Sequence, residues 1–368
     1  MTFIHELDTP ALLLDYEKLK ENIAEVASFA REVGVQVRPH IKTHKSIKIA
    51  QMQLEAGATG ITVAKMEEAE VMAIAGIQDI LIAYPISSTY KINKIINLLE
   101  RGIRVKVAVD QEQQLTYLQQ ALCHTDHLLE VWIKVDSGLR RCGVQPGKEA
   151  VQLAKYIMNL SHIRLGGIFT HAGHSYGAKS KLDIKKIGHD EAKAVVESAE
   201  DCEKEGIPIK VRSVGSTPTY QTAGKVKGIT EIRPGNAAFI DAIQVGLGVT
   251  NIERCALTVL SSVVGVYPDR IVFDAGSKSL CLDKGAHGNE TVTGYGVVKD
   301  IEGITMERLS EEHGVGTFHQ SLLLKLNDKV QIIPNHACTV ANMFEEYVIH
   351  RNGHVIGKWK VDARGKAR

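Results

Sequence analysis

Several features are missing from this 368-residue chain, and each absence narrows what it can be. Neither sign of charge is in excess: 44 Lys and Arg face 43 Asp and Glu, for a formal net charge of +1. Such balance leaves no electrostatic footprint for nucleic acid or for an anionic membrane surface. No run reaches the roughly 18 consecutive apolar residues that a membrane span needs. The start, Met1 to Asp8, lacks a basic segment followed by an apolar one, so no secretory leader is expected. The six cysteines (Cys123, Cys142, Cys202, Cys255, Cys281 and Cys338) are scattered without a CxxC pair. In a chain of this length they read as reduced thiols of a cytoplasmic protein. Internal repeats, low-complexity tracts and a long linker are lacking too, so the domains should pack tightly.

What is present is an alternation of short apolar strands and amphipathic helices. Asp15 can cap a helix whose apolar positions Leu19, Ile23, Val26 and Ala30 keep one face, with Gly34 closing it. Strands are predicted at Val35–Pro39, Gly60–Val63, Ile80–Tyr84, Arg104–Val109, Leu129–Val135, Arg164–Thr170, Lys210–Val214 and Thr230–Arg233, with helices such as Lys65–Ala75 and His189–Glu205 between them. Eight β-α units with helix-length spacers point to an α/β fold, a (β/α)8 TIM-like barrel. After about Gly246 the texture changes to short β-branched runs separated by turns: Ala256–Tyr267, Arg270–Ala275, Thr291–Val298, Lys329–Ile333, Glu346–His350 and Val355–Val361. That predicts a second, C-terminal all-β domain. The strand Thr9–Leu14 precedes the barrel's first helix and is expected to cross to it. The division is then residues 18–245 for the barrel, and 1–17 plus 246–368 for the β domain. The closing basic stretch, Lys358, Lys360, Arg364, Lys366 and Arg368, reads as a solvated tail.

In such a barrel the active site lies at the carboxyl ends of the strands, and those ends are polar here. Arg38-Pro39-His40-Ile41-Lys42-Thr43-His44-Lys45 sets a lysine among His40, His44, Lys45 and Lys48, where cations and desolvation would favour the neutral amine. Asp136-Ser137-Gly138-Leu139-Arg140-Arg141-Cys142-Gly143 is a turn from which an arginine can reach an anionic oxygen. His171-Ala172-Gly173-His174-Ser175-Tyr176 gathers imidazole, hydroxyl and phenol groups. Gly215-Ser216-Thr217-Pro218-Thr219 and Arg233-Pro234-Gly235-Asn236 follow the last two strands, where barrels often bind phosphate. Each of these, taken singly, also fits an ordinary polar loop. In the β domain, Asn335-His336-Ala337-Cys338 would place imidazole and thiolate on one strand face, two donors of an open zinc-type site. A buried cysteine beside a half-buried histidine is the alternative.

Taken together and in this order, these segments resemble the fold-type III pyridoxal-phosphate (PLP) enzymes with an alanine racemase-like barrel, in the branch of D-serine dehydratase and D-threonine aldolase. Asp274-Ala275-Gly276-Ser277-Lys278 and Glu311-Glu312-His313-Gly314 add to the likeness. The resemblance implies that Lys42, rather than Lys45, forms the Schiff base with PLP. It sets Arg141 near the cofactor's phenolic oxygen and Tyr176 near its pyridine nitrogen. Gly215, Ser216, Thr217, Gly235 and Asn236 would form the phosphate cup, and His336 and Cys338 would bind a divalent metal, zinc before manganese or magnesium. Lys42, Arg141 and His171 are the expected catalytic residues, with His40 a further cofactor contact. His-x-Cys and Gly-Ser-Thr-Pro are the dehydratase versions of two motifs that distinguish the branches, so elimination from a small D-3-hydroxy-amino acid is favoured. Retro-aldol cleavage to glycine and an aldehyde is the alternative, ahead of racemisation or non-catalytic PLP binding. Arg233 before the Pro-Gly-Asn, and Ala237-Ala238 after it, depart from the eukaryotic dehydratase and leave substrate choice open. The family also implies a homodimer.

Overall fold

The structure, a computed structural model, describes residues 2–285, 289–319 and 323–368. It opens on β1 (Ala11–Asp15), whose Leu12, Leu13 and Leu14 are buried. Asp15 ends the strand and caps α1 (Tyr16–Val33), its carboxylate accepting from the Glu17 and Lys18 N–H groups. Leu19, Ile23, Val26 and Ala30 are buried at helical spacing, and Gly34 closes the helix at φ 75°.

The barrel strands follow: β2 (Gln36–Val37), β3 (Ile61–Val63), β4 (Asp79–Ile82), β5 (Arg104–Val109), β6 (Leu129–Lys134), β7 (Ile163–Phe169), β8 (Val211–Val214) and β9 (Glu231–Ile232). Between them run α2 (Ile47–Glu55), α3 (Met66–Ile74), α4 (Thr89–Glu100), α5 (Glu112–Leu122), α6 (Lys148–Met158) and α7 (Lys181–Lys204). All eight predicted strands are present, several shorter than expected, in the order β2-β9-β8-β7-β6-β5-β4-β3. The ring closes where the Thr62 N–H donates to the Pro39 carbonyl at 2.8 Å. Outward residues such as Ile61, Ile80, Val107 and Ile133 pack under the helices in the largest apolar core.

The inside of the barrel is not the usual aliphatic stack. Leu81, Ala108, Trp132 and Phe169 form only a thin apolar layer. Beneath it the Arg38 guanidinium lies between Glu231, at 2.9 Å, and Asp79. Asp79 also takes the Lys106 ammonium at 2.6 Å. Gly60 leaves room for this group: a Cβ there would lie 2.6 Å from the Asp79 carbonyl oxygen and 2.7 Å from its carboxylate.

The second domain contains β10 (Leu257–Val266), β11 (Arg270–Phe273), β12 (Val297–Val298), β13 (Ile304–Leu309), β14 (Gly314–Phe318), β15 (Lys329–Ile333), β16 (Glu346–Arg351) and β17 (His354–Lys360). They join in the order β13-β14-β11-β10-β1-β16-β17, with β15 beside β10 and β12. As expected, β1 crosses over, pairing antiparallel with β10 and parallel with β16. Three expectations are corrected. The strand expected over Thr291–Val298 is only Val297–Val298. Asn289 draws the Thr291 N–H and hydroxyl into a local turn, at 2.9 and 2.7 Å. The strands β13 and β14 lay hidden in a charged, glycine-bearing stretch. The closing basic segment is not a solvated tail: Val361 and Ala363 are buried, and Arg368 pairs with Glu67 at 3.2 Å.

Asp79 is the acid shared by two buried cations. Replacing it with alanine should destabilise the protein by about 3–5 kcal/mol, because Arg38 and Lys106 would lose that counter-charge in the barrel floor. Urea unfolding monitored by tryptophan fluorescence checks this, since Trp132 lies directly over the group, with the Arg38 guanidinium 5.4 Å from its ring.

Candidate functional site

At the carboxyl ends of the barrel strands, facing the β domain, is a cavity of about 310 Å3. Its walls include His40, Lys42, Arg141, His171, Tyr176, Gly215, Ser216, Thr217, Gly235, Asn236, His336 and Cys338. The structure thus brings to one place every residue to which the sequence assigned a catalytic, cofactor or metal role. It adds Thr43, Ala83, Lys134, Phe169 and Arg233. Lys134 and Phe169 are the last residues of their strands, a position that could have flagged them.

Lys42 stands on a single 3-10 turn, Ile41–Thr43, whose start is fixed by the Lys42 N–H donating to the His40 Nδ1 at 3.3 Å. Burial holds its amine below the ordinary value; Cys338 opposes this and Arg141 adds to it. The crowding expected from Lys45 and Lys48 is not found. Lys45 turns to Glu68, at 3.4 Å, and Lys48 is exposed. Burial, then Lys42, also keeps the His40 and His171 imidazoles neutral, well below the usual histidine range. His171 sets its Nδ1 3.3 Å from the Gly215 carbonyl. Burial, then Arg141, lowers Lys134 to about 8, and burial lowers Arg233 to about 10. Arg233 donates to the Ser213 hydroxyl and the Thr170 carbonyl and lies 4.8 Å from the Phe169 ring centre.

The loops after β7 and β8 are shaped by a residue that sequence reasoning missed. Glu191, fully buried on α7, accepts from the Ala172 N–H at 3.1 Å, the Gly215 N–H at 2.9 Å and the Thr219 hydroxyl at 2.6 Å. The Gly215 N–H is therefore already engaged and does not point into the cavity. Nothing in the sequence marks Glu191 apart from the other acids of a long surface helix. Tyr176 contacts Thr217 through its hydroxyl.

His336 and Cys338 face the cavity, but not from a strand. Pro334 follows the end of β15, His336 is extended at φ −131°, and Cys338 sits in the short helix Ala337–Ala341. The two-residue spacing meets the cavity because the helix begins between the two donors. The His336 Nδ1 is 2.6 Å from Asp283, which the sequence did not mark, and the Cys338 Sγ is 3.2 Å from the Thr43 hydroxyl. Against the pull of burial, Cys338 and Asp283 raise His336 to about 11, while His336 and Lys42 lower the thiol. Among the described residues no group of three or more His, Cys, Asp or Glu side chains is arranged around one ion position.

Residues 14–242 match the family model of the alanine racemase N-terminal domain, and residues 256–350 match a serine dehydratase domain. A D-threo-3-hydroxyaspartate dehydratase of Delftia sp. (strain HT23) is 34% identical over 358 residues, covering 93% of each chain. The chain belongs to the D-serine dehydratase and D-threonine aldolase family. Another relative in the family, a D-serine dehydratase of Dictyostelium discoideum, is 29% identical and covers 97% of both chains. The crystal structure of D-threonine aldolase from Filomicrobium marinum superposes with a TM-score of 0.92 at 28% identity, covering 100% of each chain. The alanine racemase-like enzymes to which this family belongs use PLP, and the cavity fits that group. Lys42, Lys134, Arg141 and Arg233 line it, and among the described residues no carboxylate does. A phosphate dianion and a substrate carboxylate would supply the missing negative charge.

Beside the cavity, His44 is fully buried. The Ser46 N–H donates to its Nδ1 at 3.1 Å, so the ring proton is on Nε2 and goes to Gln53 at 3.2 Å. Burial lowers this imidazole from 6.5 to about 4. A histidine whose folded value lies below its unfolded one binds a proton more readily in the unfolded chain. The stability His44 contributes is therefore complete above about pH 6.5 and lost as the pH falls toward 4, at most about 3 kcal/mol. Denaturation profiles across that range should show the slope, and His44→Asn, which keeps an acceptor for Ser46, should flatten it.

Proposed function

We propose that this protein is a PLP- and divalent-metal-dependent lyase of small D-3-hydroxy-amino acids, and that it acts as a deaminating dehydratase. The observation that carries this reading is the meeting of two kinds of chemistry in one cavity: the buried amine of Lys42 on the barrel, and the imidazole and thiol of His336 and Cys338 on the β domain. Lys42 would hold the cofactor, with Arg141, Tyr176, Ser216, Thr217, Gly235 and Asn236 around it. Bound there, PLP supplies an electron sink for the substrate's α-carbon. Lys42, once free, has an amine able to take the α-proton at Nζ, since burial favours its neutral form. His171 is neutral and lines the same cavity as Lys42.

A zinc-like ion suits the donor set, because a thiolate and an imidazole together select a softer ion than magnesium. Asp283 would fix the His336 ring through Nδ1, leaving Nε2 for the ion. Such an ion supplies a Lewis acid for the substrate's β-hydroxyl. The His-x-Cys pair and the 34% identical dehydratase support elimination. Aldol cleavage stands as the second reading, on the strength of the aldolase that superposes over the full chain. We further propose a homodimer working in the cytoplasm, in line with the six free thiols.

Borohydride treatment of the PLP-loaded protein should leave a pyridoxyl mark on Lys42; a mark on Lys45 or Lys48 instead would overturn the assignment. Incubation with D-serine, D-threonine and D-3-hydroxyaspartate should yield keto acid and ammonia from at least one of them. Glycine and aldehyde would instead establish the second reading.

The metal pair makes a separate prediction. Cys338→Ala should abolish turnover while the cofactor's visible absorbance remains, because Lys42 and the cup lie on the other domain. Asp283→Asn should weaken zinc binding about 10- to 100-fold, as read by competition with a chromogenic chelator. Full activity of Cys338→Ala in thoroughly chelated buffer would rule the metal out.

A further inference from the structure

The run that follows Lys42 is held from the other domain. The Tyr347 hydroxyl, on β16, donates to the His44 carbonyl at 2.5 Å. The Ala363 N–H donates to the Lys45 carbonyl at 2.9 Å. The Asp362 carboxylate accepts from the Ile47 N–H at 2.8 Å. These contacts seize the chain at three points within four residues, directly after Thr43.

Two local features show why the grip is needed. Helix α2 begins at Ile47 behind Ser46, a residue type that normally caps through its own hydroxyl. Here the Ser46 side chain makes no capping bond, and its buried oxygen has no partner among the described residues. Asp362, 315 positions away, does the capping instead. Lys45 is left-handed, at φ 50°, a conformation that an L residue keeps only when its surroundings enforce it. The segment therefore does not hold its shape by local bonds alone.

We propose that Asp362, with the Ala363 backbone and the Tyr347 hydroxyl, is a clasp that fixes the Lys42 turn for reaction with the cofactor aldehyde, and that Asp362 is a positioning residue for that step. The inference rests on Lys42 being the cofactor lysine. When the clasp is lost, Lys42 keeps its chemistry but spends less time where the aldehyde is delivered. Attachment, which joins amine to aldehyde with loss of one water, then slows.

The test follows attachment itself rather than turnover. Cofactor-free protein is mixed with saturating PLP, the reaction is quenched with borohydride at intervals, and the pyridoxyl mark on each lysine is counted by mass spectrometry. Asp362→Ala should slow marking of Lys42 about tenfold, on the scale of a lost helix cap with its strained neighbour, and let marks spread to Lys45 and Lys48. Asp362→Asn, which keeps an accepting oxygen, should recover to within about threefold of the parent. Tyr347→Phe, which removes one oxygen and preserves the packed ring, should slow marking about threefold, and it decides the matter if Asp362→Ala does not fold. Parent-like rates in the folded Asp362→Ala or in Tyr347→Phe would overturn the proposal, as would equal impairment of Asp362→Ala and Asp362→Asn. Failure of the parent protein to mark Lys42 at all would instead overturn the cofactor assignment beneath it.

Discussion

Arg38 lies between Glu231 and Asp79 in the floor of the barrel, and the site above depends on that arrangement. The cavity gathers four basic side chains, Lys42, Lys134, Arg141 and Arg233, of which Lys134 and Arg233 are buried and Lys42 is half-buried, while Arg141 is exposed. Buried like charges repel, and each also loses its hydration. Glu231 moderates this from below. Its carboxylate binds Arg38 and the Ser213 hydroxyl, which in turn receives Arg233. The barrel thus gives up part of its apolar filling to support an anion-seeking mouth. Gly60 is small because that floor is charged.

The site belongs to neither domain alone. Asp241 shows this at atomic scale. It is fully buried, and its carboxylate accepts from the Asn236 side chain of the barrel at 2.5 Å and from the Ala337 N–H of the β domain at 2.9 Å. Ala337 is the residue between His336 and Cys338. One carboxylate therefore sets the distance between the loop expected to hold phosphate and the pair expected to hold metal. Thr43 and Cys338 make a second such join, next to Lys42 itself.

Much of this was legible in sequence, for physical reasons. Strands that are apolar on their outward face, followed by helices of fixed spacing, leave a strong periodic signal, and Leu129–Lys134 or Arg104–Val109 could be placed almost to the residue. The polar strand ends stood out because barrels concentrate function there. What escaped were the groups that act through space. Glu191 is one acid among many on a 24-residue helix, and only the fold shows that its side chain turns inward to three donors. Asp283 and Asp362 likewise carry no local pattern. The His336–Cys338 pair does meet at the cavity, but on a different backbone from the strand expected, since strand and helix start both deliver residues two apart to one cavity. The closing segment was misread because its charges are on the surface, while the residues that anchor it, Val361 and Ala363, are small and few.

The placement of β1 also governs the way the molecule is made. This strand, only five residues long, occupies an interior position in the second sheet, between Leu257–Leu260 on one side and Val348–His350 on the other. During synthesis it leaves the ribosome before the rest of its sheet, and its last neighbour follows more than 330 residues later. Until β16 is made, a leucine-rich strand with at least one edge unpaired must wait beside a nascent barrel, the kind of exposed segment that recruits chaperones or pairs with a neighbouring chain. Completion of the sheet is a late, long-range closure. Because the same closure brings Tyr347 and Asp362 onto the Lys42 turn, Lys42 takes its final position only once the segment through Asp362 has been made.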